Sequence, residues 1–180
     1  LTDNRLAYTH GCVVTQQKGL PAHGERDNLR QMFGLSFADH KSPTCQKRIY
    51  SHFGFDFGLL VCSELTNIGL RSKFRGQVDA LFVLAWNRDL DSFASLVEST
   101  ALDVHCYVIL SNNRKYGDSR VRTPCVQNWR RDLVRLKGGL EDYFVVTEID
   151  IHALREFQSH HEPPTGDEAT FKPFPEGFDL

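Results

Sequence analysis

The stretch FDFGLLVCSELTN, residues 55–67, drives an apolar strand pattern into a thiol and follows it two positions later with a carboxylate. Two readings of Cys62 stand side by side. It is one more small apolar residue at a strand end, or it is a nucleophile held at a strand-to-helix turn. In the second case the thiol lies beside backbone N–H groups and the positive end of a helix dipole, which favour thiolate and supply donors for an oxyanion. Small buried cysteines are common at strand ends, so the position alone does not decide. Glu64 reads mainly as structural, because an acid in the first turn of a helix interacts well with its dipole.

The remaining thiols narrow the chemistry. Cys12, Cys45, Cys106 and Cys125 form neither a CxxC pair with each other or Cys62 nor a short-spaced ligand cluster. His160 and His161 are adjacent and lack the i, i+4 offset of a metal-binding helix face. The spacing argues against zinc, and neither a metal nor a cofactor is expected. Five cysteines, an odd count, read as reduced thiols in the cytosol.

The elements that must hold Cys62 follow from periodicity. LAYTHGCVVT, residues 6–15, reads as two short strands or a hairpin around Gly11. After a loop, Leu29, Met32 and Phe33 share one face of a short helix. ADHKSPTCQKR is polar and loop-like, and IYSHFGFDFGLLVC then gives two strands, the second ending at Cys62. SELTNIGLRSKFRG suits an amphipathic helix closed by Gly76, with Leu65, Ile68 and Phe74 inward. VDALFVLAW is a buried strand. DLDSFASLVESTALDV has helical period, with Leu90, Phe93, Ala94, Val97, Ala101 and Val104 on one stripe. HCYVILSN and YFVVTEIDI read as further strands, and this alternation belongs to an α/β layered fold.

At 180 residues the chain suits one ordinary domain, and a net charge of −2 does not suggest wholesale binding to nucleic acid or acidic lipid. No apolar run is long enough to span a bilayer, so no membrane partner is expected. The chain opens LTDNRLAYTHG without a methionine, which reads as the middle of a longer polypeptide. Arginine and lysine concentrate between Arg114 and Lys137; this reads first as a solvated loop and hairpin, with contact to a phosphate backbone or an acidic partner as the alternative. Residues 159–180, rich in proline and acids, read as an extended tail or linker after a domain spanning residues 1–158.

Four blocks taken in order, GLLVCSEL, GQVDALFVLAWN, STALDVHCYVILSNNR and EDYFVVTEIDIHALREF, resemble the nitrilase or carbon–nitrogen hydrolase superfamily. In that family a strand ends in cysteine, a residue and an acid; a helix closes in glycine before a strand like GADLLFVPAWN; a helix of RAxEN type leads to a strand ending in AN; and a last strand closes with EID. The resemblance covers roughly residues 6–158. It implies an α/β nitrilase-like α-β-β-α sandwich, here incomplete at its N-terminus.

The resemblance also implies a Glu–Lys–Cys chemistry with a second glutamate near the lysine. QQKGLPAHGE is similar to the family's lysine block, so Lys18 matches the catalytic lysine and Glu25 the second glutamate, with Cys62 as nucleophile. Lys41 and Lys47 compete for the lysine role but lie close to the nucleophile strand and lack the following glutamate. Trp86 and Asn87 fall at the strand end where the family binds substrate, and Asn112 and Asn113 at the next one. The implied reaction is hydrolysis of a small-molecule amide or nitrile through a thioester or thioimidate, in a homo-oligomer.

Three departures shape that expectation. The family's first glutamate has no counterpart before Lys18 and is expected upstream of Leu1. Ser63 replaces the aromatic residue often found after the cysteine, and Ala101 and Asp103 stand where the RAxEN helix has arginine and glutamate. A degenerate assembly or ligand-sensing domain is therefore the rival to a hydrolase. Some nitrilase-like domains are fused to other modules, including antiviral reverse transcriptases, and only such a fusion or the 114–137 stretch would bring nucleic acid to this chain.

Overall fold

The computed structural model describes residues 13–142, 144–160, 170–174 and 178. Most of the expected first hairpin lies outside them, and Val13–Thr15 form no strand. Five helices and six strands are found among the described residues. They are α1 (Glu25–Phe33), β1 (Ile49–His52), β2 (Phe55–Val61), α2 (Ile68–Arg71), β3 (Ala80–Ala85), α3 (Leu90–Asp103), β4 (Tyr107–Asn112), β5 (Ser119–Arg122), α4 (Asn128–Arg131), β6 (Asp132–Leu136) and α5 (Ile151–Ser159).

The strands form one sheet in the order β1-β2-β3-β4-β5-β6. β2, β3 and β4 run parallel, while β1 and the β5–β6 pair are antiparallel to their neighbours. The β1–β2 turn is built on Phe53 and Gly54, whose φ angles of 51° and 77° match a tight turn with both central residues left-handed. The parallel strands are read from near-continuous apolar runs because both of their faces are covered.

Alternation along the strands sends residues to two cores. Leu60, Leu81, Val83, Val108 and Leu110 pack with Phe93, Val97 and Ala101 of α3. Ala80, Phe82, Tyr107 and Ile109 face Leu154 and Phe157 of α5 and Phe171 beyond it. The described residues thus supply one sheet, with a helix on each face, of the expected four-layer sandwich.

Two expected elements differ. The helix after Cys62 is not continuous: a 3-10 turn spans Cys62–Thr66, α2 follows, and a second 3-10 turn takes Ser72–Phe74. The Asn67 side chain accepts a hydrogen bond from the Leu70 amide and restarts the helix there, which resets its face. Leu65 and Phe74 are buried as expected, whereas Ile68 points outward at 72% exposure. YFVVTEIDI forms no strand in its described part, residues 144–150, and Phe144 and Val146 are exposed. Its β-branched composition favours extended backbone, but a strand also needs a neighbour for its ladder, and the described residues offer it none.

The end of the chain is folded down at its described positions. Phe171 bridges to Cys125 and packs on Phe157, while Phe157, Phe174 and Phe178 gather around His105. The His105 Nε2 shares a 2.8 Å hydrogen bond with the Lys172 carbonyl, and the Gln158 amide donates to the His105 carbonyl at 2.8 Å.

Within the 114–137 stretch β5 and β6 pair antiparallel as the expected hairpin, with α4 between them, but the unit is not solvated throughout. Arg120 and Arg122 are buried and paired. Arg120 meets Asp118 and Asp132, Arg122 meets Glu98 and Asp132, Arg131 meets Glu98, and Arg135 meets Asp118. The Asp118 carboxylate pushes the Arg135 guanidinium further above its ordinary value.

Candidate active site

β2 ends at Val61, and the backbone turns sharply at Cys62, whose φ is 52°. A non-glycine residue in that region costs about 1–2 kcal/mol, so surrounding structure must hold it. The turn leaves the thiol half-buried, with its Sγ 4.0 Å from the Trp86 carbonyl at the end of β3. Since the following 3-10 turn is a single short one, the helix-dipole contribution expected from the sequence is small here. Cys45, Cys106 and Cys125 are buried, and burial pushes the Cys106 thiol far up, which makes it inert.

Lys18 approaches from the loop before α1. Its ammonium lies 2.5 Å from a Glu25 carboxylate oxygen, and the Ala22 amide donates to that same oxygen at 2.6 Å. Gly24, at φ 73°, reverses the chain so that Glu25 opens α1 and faces back to Lys18. The Lys18 side chain is 13% exposed, so its pairing with Glu25 is partly shielded from water.

β3 and β4 contribute the far wall. The Asn112 side chain accepts from the Asn87 amide and donates to the Asn87 carbonyl, both at 2.8 Å, which clasps the two strand ends together. The Asn87 side chain is itself turned to Asp89, donating to its carbonyl at 2.7 Å at the start of α3. Trp86 is exposed at the rim.

Lys18, Glu25, Cys62, Trp86 and Asn87 all line one open cleft of about 1140 Å³. Its further walls come from residues that periodicity did not single out as functional: Met32 and Phe33 on α1, Leu84, Asn112 and Tyr116. Leu29, Met32 and Phe33 are expected to share one face of a short helix, and no residue of α1 is buried. Their helical spacing gave the only signal; which side of the helix is solvent and which is cleft depends on the sheet.

The competing lysines lie elsewhere. Lys47 pairs with Glu64 at 2.6 Å, both side chains fully buried and neither lining the cleft. The Glu64 carboxylate accepts from Lys47 and from the backbone amides of Gly19, Leu20 and Val61 across the fold, rather than resting on a helix dipole as expected. Lys41 donates its backbone amide to Asp39 in an exposed turn.

No family model matches the chain, and no curated protein does. Solved structures do. A CN-hydrolase superfamily protein from Xanthomonas campestris, with an arsenic adduct in its active site, superposes with a TM-score of 0.56 at 16% identity, over 80% of this chain and 54% of that one. A mutant amidase from Nesterenkonia sp. AN1, showing Michael addition of acrylamide at the active-site cysteine, does so with a TM-score of 0.50 at 16% identity, over 69% of this chain and 48% of that one. The chain therefore spans about half the length of these structures. The likeness is one of fold: the described parallel-centred sheet with helices on either face superposes on the fold of these nitrilase, or carbon–nitrogen hydrolase, superfamily structures.

Proposed function

We propose that this chain carries the lysine and cysteine half of a carbon–nitrogen hydrolase site, with Cys62 as nucleophile, Lys18 as oxyanion-stabilising cation and Glu25 as the carboxylate that orients Lys18. The observation that supports this most is the meeting of Cys62 and the Lys18–Glu25 pair in one cleft, although 44 positions separate the lysine from the thiol in sequence.

In the proposed reaction the Cys62 sulfur forms a bond to the amide carbon while the thiol proton passes to a general base. That base is the family-type first glutamate, supplied by polypeptide outside this chain. The carbonyl oxygen becomes an oxyanion faced by the Lys18 ammonium and backbone amides. Collapse breaks the carbon–nitrogen bond, the base returns its proton to the leaving amine, and a thioester remains. Water then attacks the thioester, the carbon–sulfur bond breaks, and carboxylate and free thiol result. A nitrile follows the same course through a thioimidate.

Trp86 at the rim and Asn87 are the proposed substrate contacts. The substrate is a small-molecule amide or nitrile, and the active form is a homo-oligomer of the longer polypeptide.

Iodoacetamide tests the cysteine directly. Cys62 is expected to react at neutral pH about tenfold faster than a free thiol such as glutathione, and Lys18→Met should remove most of that advantage. A Cys62 rate equal to that of glutathione, unchanged by Lys18→Met, would refute the reading. In the longer polypeptide, Cys62→Ala should abolish ammonia release from short amides.

The rival is a degenerate, non-hydrolytic domain, favoured by Ala101 and Asp103 in α3. The same labelling separates the two, because an inert scaffold has no reason to activate the thiol.

A further inference from the structure

One buried ion pair lies behind the cleft wall and touches both of its chemical arms. The Lys47 and Glu64 side chains are 1% and 0% exposed, with their charged atoms 2.6 Å apart. Burying two charges is costly unless every remaining lone pair and proton is used, and replacing such a pair by apolar groups often costs nothing. A buried pair that stabilises little in net terms has to be explained by what it holds in place.

The contacts are specific. One Glu64 oxygen accepts from the Gly19 amide at 2.7 Å and from the Leu20 amide at 3.4 Å. The other accepts from Lys47 and, at 2.9 Å, from the Val61 amide. Lys47 also donates to the Gln17 carbonyl at 3.4 Å. Gln17 and Gly19 are the two backbone neighbours of Lys18, and Val61 is the residue immediately before Cys62. Glycine at position 19 permits the approach, since a Cβ there would come within 3.1 Å of the Cys45 side chain. Neither member of the pair lines the cleft, so neither can touch a substrate there.

We propose that the Lys47–Glu64 pair is a positioning element that fixes the Lys18 loop relative to the Cys62 turn, and so sets the ammonium against the thiol. The inference rests on the reading that Lys18 activates Cys62. It assigns to Glu64 and Lys47 a role in geometry and none in proton transfer. It also accounts for the left-handed Cys62, because the preceding peptide is tied to the Lys18 loop through one carboxylate.

The test is iodoacetamide labelling of the full chain across a pH range, read at each cysteine by peptide mass spectrometry, with buried Cys106 and Cys125 as reporters of folding. Glu64→Gln turns an acceptor into a donor facing the Lys47 ammonium and the Val61 amide. Lys47→Met removes the ammonium but leaves the three backbone contacts of Glu64 in place. Both are expected to slow Cys62 labelling about 10-fold and move its pH profile upward, a displaced catalytic group costing up to about 100-fold. Adding Lys18→Met to either should slow it no further, because all three changes remove one interaction.

If Lys18→Met slows Cys62 but Glu64→Gln and Lys47→Met do not, the positioning role is wrong and the hydrolase reading stands. If Lys18→Met itself has no effect, that reading fails and the positioning role fails with it. If both single variants open Cys106 and Cys125 to labelling, the pair supports the whole fold and not the Lys18 loop, and the proposal is likewise overturned.

Discussion

Cys62 occupies a left-handed conformation that L side chains avoid, and glycine would hold it without strain. A thiol kept at such a position is costly to the fold, a cost that Phe53, His105 and Asp118 share. The cost can be measured. Cys62→Gly is expected to be more stable than Cys62→Ala by about 1 kcal/mol in urea unfolding, since both lose the thiol and only alanine keeps the clash. Equal stabilities would mean that the backbone at Cys62 relaxes and stores no strain. Glu25 shows the same scale from the other side: the Lys18 ammonium and the Ala22 amide converge on one of its oxygens. Glu25→Gln should therefore lower the labelling rate of Cys62 less than Lys18→Met does, because it loosens the lysine without removing it.

At the scale of elements, β2 is the part that aims the thiol, and its packing is tight where Gly58 passes Phe74. A Cβ at position 58 would lie closer than 3.0 Å to three ring atoms of Phe74, which is itself buried in the α3 core. Gly58→Ala is expected to destabilise the chain by about 1–3 kcal/mol. The broken helix after Cys62 makes a sharper distinction. A continuous amphipathic helix would bury Leu65 and Ile68 alike, but the Asn67 cap separates them. Leu65→Ala should cost about 2–5 kcal/mol, whereas Ile68→Ser should stay within about 0.5 kcal/mol of the parent. Similar losses at both sites would restore the single helix.

Across the whole molecule, two features join distant parts of the chain. The described end of the chain closes over His105, whose ring stacks on Phe157 and meets Phe174 and Phe178 edge-on. Burial pushes its imidazolium below the ordinary 6.5, so the neutral ring is the form the fold prefers. The unfolded chain then binds the proton more readily than the folded one. The resulting stability is complete above pH 6.5 and is lost as pH falls from there through the lowered value in the fold. Urea midpoints should drop between pH 7.5 and pH 5.5, and His105→Phe should flatten that part of the curve; an unchanged slope would remove His105 as its cause. The second feature is the arginine network of β5, α4 and β6, where carboxylates already occupy Arg120, Arg122, Arg131 and Arg135. Guanidinium groups so engaged are poor ligands for phosphate. Binding of this chain to an RNA or DNA duplex is expected to be no tighter than about 100 μM at physiological salt. No helix among the described residues is long and apolar enough to cross a membrane.

Local pattern was sufficient wherever one face or one period decides the outcome. The runs that became β2, β3 and β4 are apolar enough to need cover on both faces, the α3 stripe repeats at helical spacing, and the cysteine falls where the first of these runs begins to turn. The order of those blocks carried the resemblance and, through it, Lys18 and Glu25. Long-range pairing decided the rest. A helix face is apolar in sequence whether it meets a core or a cleft, so Met32 and Phe33 gave no sign of lining one. A strand-forming composition such as that of residues 144–150 makes a strand only where a neighbour completes its hydrogen bonds. Lys47 reads in sequence as a rival for the lysine role and Glu64 as an acid at a helix start; only when folding brings both out of water do the two neighbours of Lys18 and the residue before Cys62 share one anchor. Sequence spacing sets which groups can exist near one another along the chain; desolvation and hydrogen-bond partnership, which belong to the tertiary structure, decide what those groups do.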